Sequence, residues 1–291
     1  MKSKLWLVYA IITTVFWGIW GALIEIPEKA GFPATLIYVV WSITMIPPAL
    51  VAMKLIGWEF DFRKKSIVYG LAVGILGAGG QLVLFHTLAI SPAYLVYPFI
   101  SLSPVVTIAM SLFLLKERAN KFGWIGVVLA LIAIPLLSYT SPEGNGTTSN
   151  LIWVIPASIV FFAWGAQAYI IKVANNSMKA ENIFFYMMLS GLILAPVAIL
   201  MTDFSAEINW GFEGYGYSYL IQSLNAIGAL FLVYAFRYGK AMIVSPLTNA
   251  VAPVTTVILS LIIYSVVPNM ITTAGMAFAI IAALFLSLED A

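Results

Sequence analysis

A chain of 291 residues that is 62% hydrophobic and 9% charged, with mean hydropathy +1.01, cannot hide its apolar surface in a water-soluble core, so that surface must face lipid. The net charge of +2 is too small to point to a partner, and without cysteine there is neither a disulfide nor a thiolate metal site.

In chain order, ten apolar runs approach the roughly 20 residues that a helix needs to cross a bilayer. The first five cover residues 5–24, 34–56, 66–90, 92–115 and 122–139. The second five cover residues 151–172, 182–201, 217–237, 241–264 and 270–288. The first run follows Lys2 and Lys4 and ends in Glu25-Ile26-Pro27-Glu28 instead of a small-residue cleavage site, so it reads as a span and not as a signal peptide. Residues 141–150, rich in Gly, Ser, Thr and Asn, form a natural linker and carry the glycosylation sequon Asn145-Gly146-Thr147.

The charges give the orientation. With the N-terminus in the cytoplasm, Lys2, Lys4, Lys54, Arg63, Lys64, Lys65, Lys116, Arg118, Lys121, Lys172, Lys179, Arg237 and Lys240 all fall inside. Only Lys29 falls outside, where the loops instead hold Glu25, Glu28, Glu143, Asp203, Glu207 and Glu213. Basic residues resist translocation, so the asymmetry supports ten spans with both termini cytoplasmic.

Residues 91–139 reappear at 240–288, offset by 149 positions. Pro104-Val105-Val106-Thr107 returns as Pro253-Val254-Thr255-Thr256, and Gly126, Ala130 and Ala133 return as Gly275, Ala279 and Ala282. Trp20-Gly21-Ala22 matches Trp164-Gly165-Ala166 more weakly. Because five is odd, the second copy enters the membrane from the opposite side. The expected fold is an all-α integral membrane protein of ten transmembrane helices in two inverted five-helix repeats, residues 1–140 and 151–291.

Phe16-Trp17-Gly18-Ile19-Trp20-Gly21, and Pro104 through Leu115 followed by Lys116-Glu117-Arg118 and Gly126, carry a resemblance that covers nearly the whole chain. The chain resembles the drug/metabolite transporter superfamily, of the type with two EamA domains. The second copy keeps Pro253 and Gly275 but has Ser265-Val266-Val267 where the loop acid would stand. The resemblance implies a central cavity built mainly from the first four spans of each half. It also implies peripheral fifth and tenth spans, which support a homodimer in some relatives.

Read from the residues alone, the fourth and ninth spans hold Pro98 and Pro104, and Pro246 and Pro253. Each proline removes a backbone hydrogen bond, so these helices are expected to kink, either at the binding site or as static bends that shape the bundle. Gly70 with Gly74, Gly126 with Ala130, and Gly275 with Ala279 read as close-packing faces. The polar residues at membrane depth are Gln81, Gln167, Gln222, Asn225 and Asn249, joined by Trp20, Trp164 and Tyr97. Amides in lipid need partners, so these groups either hold neighbouring helices or contact substrate. His86 and Glu25 are the candidates for proton sensing or gating, each with the plainer reading of a structural residue near an interface.

No Asp or Glu sits mid-span, and no Arg or Lys stands at depth to bind a multiply charged ligand. The fitting substrate is a small neutral or zwitterionic metabolite such as an amino acid, exported by alternating access. Sugar or other solute uptake is the alternative, and a non-transporting receptor or scaffold comes after it. Patterns such as HExxH, GxSxG and the P-loop are absent, so no enzyme, cofactor or metal is expected, and nothing points to nucleic acid.

Overall fold

The computed structural model describes residues 4–90, 96, 99–137, 151–264 and 269–289. Tyr97, Pro98 and the 141–150 linker with its sequon lie outside the described residues. The helices, numbered along the chain, are α1 (Leu5–Lys29), α2 (Ala34–Leu55), α3 (Lys64–Ile90), α4 (Pro104–Leu115) and α5 (Lys121–Leu137). They continue as α6 (Val154–Asn175), α7 (Ala180–Leu200), α8 (Tyr217–Tyr238), α9 (Ala241–Tyr264) and α10 (Met270–Ser287). Eight of these segments are long and apolar enough to cross a membrane, whereas α4 and α5 are apolar but shorter.

The irregularities have local causes. α1 is interrupted at Ile24, ahead of Pro27, and α2 at Met45, ahead of Pro47 and Pro48. Proline donates no backbone N–H, so the turn ahead of it loses an i→i−4 bond, while Ile24 and Met45 keep α-region dihedrals. The expected fourth span is not one regular helix: residues 101–103 form turns, and Pro104 opens α4, where its missing N–H costs nothing. The last turn of α4, Ser111–Leu115, is π-helical, and Lys116 takes a left-handed φ of 56°. α9 differs from its sequence mate by running unbroken through Pro246 and Pro253.

The packing follows the duplication. α1 lies on α8 and α9, α6 lies on α3 and α4, α2 lies on α7 and α8, and α7 lies on α3. Exchanging the first five helices for the second five turns α1–α8 into α6–α3, α1–α9 into α6–α4, and α2–α8 into α7–α3. α4 meets α9 across the middle, and α5 pairs with α10 at the side. Glycines set the spacing: Gly70 lies against Tyr186, Gly74 against Ser190, and Gly165 against Val106 and the Ser103 carbonyl. Gly126 meets Leu286, and Gly275 meets Leu136 and Leu137. The small-residue faces predicted from sequence are close-packing faces.

One end of the bundle gathers most of the basic residues. There Arg63 donates to the Ser177 carbonyl at 2.7 Å, Lys179 pairs with Glu59 at 2.5 Å, and Arg237 donates to the Met178 carbonyl at 3.3 Å. Lys4 donates to the Ser287 carbonyl at 2.5 Å, and Lys240 pairs with Glu289 at 2.6 Å. At the opposite end, Asn209 N donates to the Gly31 carbonyl at 3.1 Å and its side-chain amide to the Ala30 carbonyl at 2.9 Å.

Candidate functional site

Two tryptophan–amide groups occupy corresponding places in the two halves. In the first, Gln222 and Asn225 stand three residues apart on α8, so they share a face. Gln222 is 4% exposed, and the Asn225 Nδ2 donates to its Oε1 at 3.4 Å. Trp17 on α1 donates through Nε1 to the Asn225 carbonyl at 3.2 Å, and its ring lies over Gly228, where a side chain would not fit. Thr13 donates to the Gly228 carbonyl at 3.2 Å. Trp20 follows Trp17 by one turn, and its buried Nε1 has no hydrogen-bond partner among the described residues.

The second group lies where α6 meets α3. Trp164 Nε1 donates to the Gly77 carbonyl at 3.3 Å, and the indole edge abuts Gly80. Gln167, three residues on, packs against Gly77, and the partly exposed Gln81 follows Gly80 along α3. The glycines of α3 therefore admit side chains from α6 as Gly228 of α8 admits Trp17 from α1.

Between the groups, α4 and α9 meet through hydroxyls. Thr107 donates to the Gly165 carbonyl at 2.9 Å, and its repeat mate Thr256 donates to the Gly18 carbonyl at 3.0 Å. Ser245 donates to Thr107 at 3.3 Å, Thr248 to the Val244 carbonyl at 3.0 Å, and Asn249 Nδ2 to the Ser245 carbonyl at 2.9 Å. Sequence reasoning left these hydroxyls out of the site. Their signal was the repeated proline-to-threonine spacing, which puts Thr107 and Thr256 on matching faces. The seam offers indoles, amides and hydroxyls without a fixed charge, a set that hydrogen-bonds neutral groups and dipoles.

The remaining predicted residues stand apart. Glu25 pairs with Lys29 at 2.5 Å on an exposed helical turn, with both side chains largely in solvent. His86 is exposed towards the end of α3. Pro246 is buried and Pro253 half-buried on α9. Among the described residues, no three His, Asp or Glu side chains are grouped to hold a metal ion.

A cavity of about 610 Å³ lies at the basic end, lined by the α2–α3 and α6–α7 loops and the end of α8, with none of the sequence-predicted site residues in its wall. Here Asn182 accepts from Asp61 N at 2.8 Å and donates to the Glu59 carbonyl at 2.9 Å. Tyr186 donates to the Asp61 carbonyl at 2.8 Å. The Arg63 guanidinium, hydrogen-bonded to Asp61, holds that carboxyl well below the usual carboxylate range against the opposing effect of burial.

The description of the EamA-like transporter family matches twice, over residues 4–139 and 151–288. The protein LicB of Haemophilus influenzae is 26% identical over 210 residues, 69% of this chain and 70% of that protein. The protein RarD of Streptomyces exfoliatus is 23% identical over 261 residues, 85% of this chain and 75% of its own length. A shorter similarity, 28% over 81 residues, covers 28% of this chain. It spans 72% of a probable 4-amino-4-deoxy-L-arabinose-phosphoundecaprenol flippase subunit of Hamiltonella defensa. A crystal structure titled only as that of a protein superposes over 99% of both chains with a TM-score of 0.78 at 16% identity, which shows the shared fold. The chain is thus a multi-pass integral membrane protein that belongs to the EamA-like transporter family of the drug/metabolite transporter superfamily.

Proposed function

We propose that the chain is a secondary transporter, with export the favoured direction, that moves a small neutral or zwitterionic metabolite such as an amino acid by alternating access. The observation that carries the reading is the charge-free seam of Trp17, Trp164, Gln167, Gln222, Asn225 and Asn249 along helices whose contacts interchange between halves. Two half-bundles with interchangeable contacts can open alternately to either side around one site.

The basic end supports ten spans with both termini cytoplasmic. Hydrogen bonds join the α2–α3, α4–α5, α6–α7 and α8–α9 loops, the start of α1 and the end of α10 at that one end. If α3 crosses away from that end, the chain must return through α4; if α6 arrives there, α5 must have left it. On this reading the two short helices are crossings, and the end that keeps the positive residues is the cytoplasmic one.

Sugar or other small-solute uptake is the second reading; a partial relative is named as a probable flippase subunit for a sugar-bearing lipid, which makes a sugar group worth testing. Counterflow in proteoliposomes, with pooled labelled amino acids and pooled sugars, tests both. Amino-acid exchange that falls about tenfold in Gln222→Ala or Asn225→Ala supports the proposal, that fall being about 1.4 kcal/mol of lost binding. Exchange of sugars alone shifts it to the second reading. No exchange by folded protein from either pool overturns both.

A further inference from the structure

Glu117 does work at the basic end that its place in a loop does not announce. The π turn of Ser111–Leu115 and the left-handed Lys116 end α4 abruptly, and Glu117 N donates back to the Ser111 carbonyl at 3.1 Å. The reversed chain aims the Glu117 carboxylate at α9. Its two oxygens accept from Ala241 N and Met242 N, both at 3.1 Å, so one carboxylate caps the first turn of the opposing half's helix.

A second carboxylate closes the same corner. Glu289, 2% exposed, accepts from Lys240 at 2.6 Å and from Asn120 N at 2.9 Å. Lys172 reaches from α6 to the Gly239 carbonyl at 2.5 Å. The α4–α5 loop, the start of α9, the end of α6 and Glu289 just beyond α10 are thus tied together. Behind them Ala241 through Thr248 are all buried.

We propose that Glu117 and Glu289 form a one-sided ionic latch that holds the cytoplasmic mouth of the transporter shut, Glu117 by fixing α9 and Glu289 by fixing Lys240. The inference rests on the alternating-access reading above and assigns the residues that bias it. The duplication does not repeat this residue: 149 positions after Glu117 stands Val266. Packing is one-sided too. α6 packs on α8 beside the latch, whereas α1 and α3, their counterparts, are not among the well-packed pairs of the described residues. A conformer clasped on its cytoplasmic side is the state that such a latch selects.

The chain has no cysteine, so a single introduced thiol reports without background. Ser245→Cys places it on α9 directly behind the latch, at a position 3% exposed. In inside-out vesicles, a membrane-impermeant maleimide should label it slowly in the otherwise unaltered protein. Labelling should be at least about tenfold faster with Glu117→Gln or Glu289→Gln, since each removes charge-assisted bonds from the closed state only. Glu117→Asp, which retains the charge, should fall between. A second reporter, Ser42→Cys, fully buried away from the latch, should stay unlabelled throughout. Unchanged Ser245→Cys labelling in both glutamine variants overturns the latch, as does a rise at both reporters, which would mean general loosening. Counterflow by the unaltered protein in the same preparation reads transport separately, so failure of the carrier reading and failure of the latch give different results.

Discussion

Gly165 shows how little room the contact between halves leaves. A Cβ there would stand 2.6 Å from the Ser103 carbonyl and closer still to Val106, so neither backbone nor side chain can yield cheaply. Gly165→Ala is expected to cost about 1–3 kcal/mol by overpacking, read as a lowered Tm in detergent. Gly191 is the contrast: its nearest neighbours, Ser42 Cβ and Trp41, would lie 3.5 and 3.6 Å away. Gly191→Ala should be close to neutral, and equal losses at the two sites would refute the packing argument. The sequence paired Gly165 with Gly21, but the contacts pair it with Gly18, whose neighbours Thr255 and the Ala252 carbonyl are the repeat mates of Val106 and the Ser103 carbonyl. The register slipped by about one turn because an apolar helix looks alike on every face until its neighbours are placed. The same limit hid the hydroxyl seam. Amides were conspicuous in lipid, whereas Thr107, Ser245 and Thr248 bond within or between helices and leave little trace in hydropathy.

At the scale of elements, charged loops and strained turns decide how the helices are joined. Lys116 holds a left-handed φ of 56° that only glycine adopts without penalty. Lys116→Gly should therefore stabilise the α4–α5 connection by about 0.5–1 kcal/mol, read as a raised Tm, and a lowered Tm would show that the Lys116 side chain contributes more than its backbone costs. The α2–α3 loop responds to pH instead. Asp61, hydrogen-bonded to Arg63, has its folded-state pKa depressed, so its contribution is fully present above the unfolded value near 4 and is lost as pH falls through the folded value. The Tm difference between the unaltered protein and Asp61→Asn should hold constant from neutral pH to about pH 5 and shrink below that. The effect should be modest, because Arg63 is largely exposed. Hydropathy located the eight helices that are long and apolar enough to cross a membrane, but the breaks at Met45 and at residues 101–103 depend on where proline falls within a turn. Pro47 and Pro48 carried that signal for α2, yet α9 passes through two prolines unbroken.

For the whole molecule, two different arguments bear on the proposed ten-span topology. Charge placement argues from which loops resist translocation, and the hydrogen bonds argue from which loops touch. The proposal turns on α4 and α5, which are too short to be counted by apolar length alone. The arrangement makes a sharp demand on loops that lie close in sequence but on opposite membrane faces. Asn176, exposed in the α6–α7 loop, belongs to the basic end through its neighbour Ser177, which accepts from Arg63. Ser205, exposed in the α7–α8 loop, belongs with Asn209 and Gly31 at the other end. A cysteine at position 176 should react with an impermeant maleimide only in inside-out vesicles, and one at position 205 only in intact cells. A cysteine at Arg118, in the α4–α5 loop, should behave like the one at 176. That third thiol is decisive, because the even count between the α2–α3 and α6–α7 loops survives if α4 and α5 both fail to cross. Reaction at 118 from outside would put the α4–α5 loop across the membrane from Lys240 and Glu289, sever the latch and reduce the spans to eight. Reaction at 118 from the cytoplasmic side leaves ten spans, with an odd number in each half, as the condition for one sequence repeat to face both ways.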